Sequence, residues 1–218
     1  LGGTYRVRYE ALSSSLRPGV EESDRLLAER LLLRVRVGGE KRFGTVEIED
    51  SRTHLDDGAT PLGTDDVNAA EILQAHLGFR ISDALRQGDR LDLQAGRMTL
   101  DLGSRRLVAR NSFRNTVNGF TGVHSSWSGG GEGIEVRSFF VLPVNRLPTE
   151  RSRLDDNDVQ LDRESSDARF WGLHVSDPRL AAGLKGEVYV LGLREEDRPS
   201  APTANRDLVT LGARLLRP

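Results

Sequence analysis

The sequence predicts an all-β fold, an antiparallel up-and-down transmembrane β-barrel with about ten strands in this chain. Three observations predict it. Apolar and charged residues alternate with period two along most of the chain. Hydrophobic content is 37%, low for a globular chain, as expected where only the outward face of a barrel is apolar. The connections between strands alternate long and short without exception, as extracellular loops and periplasmic turns do.

Residues 4–11 set Tyr5, Val7, Tyr9 and Ala11 against Thr4, Arg6, Arg8 and Glu10. After a polar connector with Pro18 and Gly19, residues 26–37 place Leu27, Leu31, Leu33, Val35 and Val37 opposite Arg30, Arg34 and Arg36. Gly38-Gly39-Glu40-Lys41 reads as a tight turn. Residues 43–50 return with Gly44, Val46 and Ile48 opposite Thr45, Glu47 and Glu49, and an acidic loop follows over 51–68. Residues 69–82 direct Leu73, Ala75, Leu77, Phe79 and Ile81 one way and Gln74, His76, Gly78, Arg80 and Ser82 the other.

A short turn, 83–88, leads to a strand over 91–95, with Leu91, Leu93 and Ala95 outward and Arg90, Asp92, Gln94 and Gly96 inward. The parity breaks at Arg97. Either the strand has left the apolar band there, or a bulge near Gly96 turns Arg97 to the polar face. An arginine-rich loop, 97–118, precedes a strand over 120–127 and a glycine turn over 128–133. Residues 134–142 oppose Ile134, Val136, Phe140 and Leu142 to Glu135, Arg137, Phe139 and Val141.

A third long charged loop, 143–168, precedes a strand over 169–176 that carries Trp171, Leu173 and Val175 on one face. Residues 177–183 turn. Residues 184–194 form a strand whose facing the pattern leaves open, 195–206 form a loop, and 207–217 form a last strand. In that strand Val209, Leu211, Ala213 and Leu215 oppose Thr210, Gly212, Arg214 and Leu216. The expected domain is one unit over residues 1–218.

Composition excludes several classes. The longest apolar run, 139–144, is far short of the roughly 18 to 20 residues of a spanning helix and contains Pro143. Without cysteine there is no disulfide framework and no thiolate site. Leu1-Gly2-Gly3 opens no basic-then-apolar leader, so a signal peptide is expected to be absent from this chain. A net charge of -2 argues against a nucleic-acid partner.

At Gly96-Arg97, Gly103, Arg105-Arg106-Leu107-Val108, Phe113-Arg114-Asn115 and Phe120-Thr121-Gly122-Val123 the sequence resembles the alginate-export family of outer-membrane porins. The family usually carries Asp where Thr121 stands, and commonly Gln and Glu at Met98-Thr99. The resemblance implies a barrel of more strands than this chain holds. Residues 1–218 are therefore expected to be its amino-terminal part, lacking carboxy-terminal strands. It also implies passive passage of an anionic, alginate-like polysaccharide across the bacterial outer membrane, with periplasmic export components as candidate partners.

With the arginine faces turned inward, Arg30, Arg34, Arg36, Arg80 and Arg137, joined by Arg97, Arg110 and Arg114 from the loop region, form a positive pore lining beside His76. Guanidinium stays charged and presents a planar fork that fits carboxylates. Glu47 and Glu135, with Glu49 and Asp92, are expected to pair with some of them and moderate affinity. Tyr5, Tyr9, Phe43, Trp127 and Trp171 are candidates for an aromatic girdle in contact with outer-membrane lipid. Two alternatives remain open: a porin for small anions or other solutes, and a soluble carbohydrate-binding β-sandwich.

No enzymatic or cofactor motif is found: there is no Gly-x-Ser-x-Gly, no Gly-Lys phosphate loop, no Gly-x-Gly-x-x-Gly and no His-Glu-x-x-His. His54, His76, His124 and His174 lie at no metal-ligand spacing. Asp155-Asp156-Asn157-Asp158 lacks the glycine of a calcium loop. No enzyme activity, cofactor or metal is expected.

Overall fold

The computed structural model describes residues 1–13, 23–56, 60–130, 133–181, 183–198 and 203–217. In chain order the elements are β1 (Gly2–Ser13), β2 (Ser23–Gly38), β3 (Arg42–His54), β4 (Asn68–Ser82), β5 (Arg90–Met98), β6 (Phe120–Ser128) and β7 (Glu135–Asn145). Then come α1 (Arg151–Asp155), β8 (Arg163–Glu164), β9 (Ala168–Ala181), β10 (Leu184–Glu195) and β11 (Asp207–Leu216). Ten strands pair antiparallel in chain order, and the two-residue β8 adds only to the end of β7. Among the described residues β1 and β11 each pair on one side only, so the sheet is up-and-down but not closed. No helix among them is long and apolar enough to cross a membrane, which says nothing about strands. The polar connector around Pro18 and Gly19 lies outside the described residues.

Burial along the strands is inverted relative to a water-soluble sheet. On β3 the buried row is Thr45, Glu47, Glu49, Ser51 and Thr53, while Val46 and Ile48 are exposed. Glu49 and Ser51 are 0% exposed and Leu77, on the opposite face of the sheet, is 69% exposed. The exposed face continues through Tyr5, Val7, Leu33, Val35, Phe79, Phe140, Trp171 and Leu211. A soluble monomer rarely shows a contiguous apolar patch of more than a few hundred Å². Hydrocarbon outside and polar groups inside is the arrangement of a barrel wall.

What buries the inner charges is the segment between β5 and β6. It folds back against the inner face instead of standing clear of the sheet. Met98, Leu100, Leu102 and Val108 form an apolar cluster with Phe139, Val141 and Leu191, and Val117 packs with Leu32 and Leu73.

Several expectations change. Leu73 faces inward, not outward, because the register slips between Glu47 and Ile48 and leaves Leu73 extra on β4. Phe43 also faces inward, buried against Gly78 of the neighbouring strand, so it is no girdle residue. Residues 177–181 continue β9 past the expected turn. β10 now has a facing: Glu187 registers with Arg214, Tyr189 with His174 and Leu191 with Gly172, all on the inner face. Helix α1 and β8 break up the third charged loop, which the periodicity leaves irregular.

Candidate functional site

The strand parity assembles one inner face from Arg6 and Arg8 (β1), Arg30, Arg34 and Arg36 (β2), Glu47 (β3), Gln74, His76 and Arg80 (β4), Asp92 (β5), Glu135 and Arg137 (β7), and Glu187 (β10). Most of the cations there are engaged. Arg80 donates to Asp92 at 2.9 and 3.3 Å. Arg110 reaches down from the folded-back segment to Glu47 through both terminal nitrogens, 2.9 and 2.5 Å away. Arg137 pairs with Glu135 at 2.7 Å and donates to the Asp101 carbonyl at 2.7 Å.

Arg30 gives a bond to the Arg114 carbonyl at 3.1 Å. Arg6 and Arg8, on the polar face of β1, do the same to the carbonyls of 112–114. They carry the same alternation signal as Arg34 and Arg36 and belong with the lining.

Arg34 and Arg36 differ. Among the described residues neither donates a hydrogen bond or closes an ion pair: Arg34 stands across the ladder from Glu47, which Arg110 holds, and Arg36 lies over the Phe43 ring, 4.5 Å from its centre. They line an open cavity of about 360 Å³ with Thr45, Gln74, His76 and Gln94, near the short-turn end of the sheet. His76 is buried edge-on to Phe43, and its Nδ1 has no partner among the described residues. Free guanidinium forks beside amide and imidazole groups can hold a carboxylate and hydroxyls together.

Arg97 does not join this face. The β4–β5–β6 register runs unbroken through it, opposite Ala75 and Thr121, so no bulge turns it inward. It has left the apolar band, and its guanidinium is held by Glu71 at 2.5 Å and Glu164 at 2.8 Å. Gly96, with φ +126°, permits this strand end: a Cβ there would run into the Ala75 carbonyl and lie 2.8 Å from His76 Cα. Arg114 is half exposed and pairs with Asp65 at the loop end; its carbonyl, not its side chain, faces the inner wall.

The loop end is a compact polar cluster. Asp162 accepts from the Leu147 N–H at 2.8 Å and from Asn68 Nδ2 at 2.9 Å, and its own N–H donates to Glu71 at 2.8 Å. Burial, with the Glu71 charge alongside, pushes the Asp162 carboxyl up to about 6. Burial opposes ionisation of Glu164 too, yet hydrogen bonds from Thr121 and Arg97 hold it below the usual carboxylate range. Among the described residues no group of three His, Asp or Glu is placed to hold a metal ion.

No curated protein and no solved structure matches the chain. One family model does, that described as alginate export, over residues 1–215. Its span covers nearly every strand of the sheet, and the inverted wall is what its outer-membrane barrels require. The chain belongs to the alginate export family.

Proposed function

We propose that the protein is an outer-membrane channel for passive, charge-selective passage of an anionic, alginate-like polysaccharide. The observation that carries the reading is the inner face, where ion-paired arginines surround an unpaired Arg34 and Arg36 while the outer face is apolar. Low-dielectric walls focus the field of such a pair, and paired neighbours keep any one site from trapping a carboxylate. On this reading the wall and the segment folded against it conduct, catalyse nothing and use no cofactor. Its partners are outer-membrane lipid, the acidic polymer and periplasmic export components that present the polymer to the turn end. A soluble carbohydrate-binding sheet fits less well, because its exposed face would be the apolar one.

Reversal potentials in planar bilayers under a salt gradient test the reading. The unaltered protein is expected to favour anions, and Arg34→Glu with Arg36→Glu to shift the reversal potential towards cations. Unchanged selectivity in the double variant contradicts it.

A further inference from the structure

A second cavity, of about 330 Å³, opens on the inner face of β9, β10 and β11, far along the strand order from Arg34 and Arg36. Small-molecule pockets begin at about this size, roughly 300 Å³. His174 and Glu187 form its polar pole, each 5% exposed. Both ring nitrogens of His174 are buried with no hydrogen-bond partner among the described residues. A buried polar group of this kind normally has one. Glu187 stands close without supplying it: Oε2 is 4.0 Å from His174 Nε2 and 3.9 Å from Arg214 Nη1, while Oε1 takes Lys185 at 3.0 Å.

Gly103 leaves this pair uncovered. A Cβ there would lie 2.8 Å from His174 Nε2 and 2.9 Å from Glu187 Oε2, so both atoms converge on a spot that any other side chain would close. Its φ of +48° is one that glycine adopts freely. The rest of the wall is aromatic and apolar. Tyr189 lies over Gly212 with its ring within 15° of parallel to that of His174, centres 6.4 Å apart, and Leu102 and Leu191 continue the surface.

We propose that this cavity is a subsite for one pyranose ring of the polymer, read through its hydroxyls and its apolar C–H face and not through its carboxylate. A neutral imidazole offers one donor and one acceptor, and a carboxylate accepts. Sugar hydroxyls therefore meet the hydrogen-bonding groups that the protein itself leaves unmet, while Tyr189 and the two leucines cover the C–H face. A simple anion has neither hydroxyls nor an apolar face. The subsite thus separates a sugar acid from other anions, which guanidinium groups such as Arg34 and Arg36 cannot do, since they recognise carboxylate in general.

The inference takes its ligand from the channel reading above, but its test needs no current. Binding of hexamannuronate, an oligomer of acidic pyranose rings, is measured by calorimetry on the detergent-solubilised protein beside hexaglutamate, which carries carboxylates and no sugar ring. Salt at about 0.5 M screens the charge attraction that the two probes share. His174→Leu and Tyr189→Leu are each expected to weaken hexamannuronate binding by about tenfold and hexaglutamate binding by less than about twofold. Arg34→Gln should weaken both probes alike.

Heat-shifted gel mobility, measured on every variant, separates recognition from fold. If Tyr189→Leu fails to fold, His174→Leu and Tyr189→Phe, which removes only the hydroxyl, carry the test. Unchanged hexamannuronate binding in folded His174→Leu, or an equal loss for both probes, overturns the proposal. Ring-dependent binding in a protein that shows no anion preference in bilayers supports the subsite and counts against the channel reading alone.

Discussion

At the scale of single residues, position on the wall decides what an arginine does. Arg34, Arg97 and Arg114 read alike in the sequence, yet one is unpaired on the inner face, one is clamped between Glu71 and Glu164, and one pairs with Asp65 at the loop end. The alternation of Arg30, Arg34 and Arg36 was legible because its period is local. The partner of Arg30 was not, because it is the Arg114 carbonyl, 84 positions away.

The same logic applies to the outer face. Leu77→Arg would place a charge in the apolar band and is expected to destabilise the folded protein in lipid by about 2–4 kcal/mol, as followed by denaturant titration in vesicles. On an exposed soluble surface the same change would cost within about 0.5 kcal/mol.

Asp162 gives the loop end a pH dependence of known sign. Its folded-state pKa, about 6, lies above the ordinary carboxylate value, so the folded protein holds a proton that the unfolded chain releases. Its contribution to stability is complete below the unfolded value, and is lost as pH rises through about 6. Unfolding midpoints measured from pH 4 to 7 should fall across that window, and Asp162→Asn, which keeps an acceptor for the Leu147 N–H, should flatten the fall. An unchanged slope in the variant removes Asp162 as the cause.

At the scale of elements, the sheet is shaped by what neighbouring strands place opposite each other. Phe43 lies over Gly78, Phe139 over Gly172, Trp171 over Gly192 and Tyr189 over Gly212, each a cross-strand pair in which the glycine leaves room for the ring. Gly78→Val would drive the Phe43 ring off its seat, with an expected loss of about 1–3 kcal/mol in the unfolding free energy. Arg36, stacked on that ring, would lose its support as well.

The folded-back segment is held as firmly from the side of β3. Glu47→Ala strips Arg110 of its buried partner and Gln74 of its acceptor, for an expected loss of about 3–5 kcal/mol by the same titration.

Strand faces were readable in the sequence wherever ladders run unbroken. Leu73 was misread because a bulge belongs to a pair of strands and not to one. The two-residue β8 and the five-residue α1 are too short to show a period. The path of residues 99–119 was hidden for a different reason: its anchors are one buried asparagine and a set of carbonyls, and neither leaves a pattern.

At the scale of the whole molecule, the inverted distribution of polar and apolar groups is the feature from which the rest follows. Apolar side chains outside and charges inside make sense in hydrocarbon, where backbone groups must be satisfied by strand pairing. Family membership and the up-and-down order of strands agree with it.

The most direct measurement of this claim is gel migration of the protein purified in mild detergent and loaded with and without boiling. A compact, faster form that shifts on heating is the predicted result. A protein that stays in solution without detergent and migrates identically either way would contradict the membrane wall and the channel built on it.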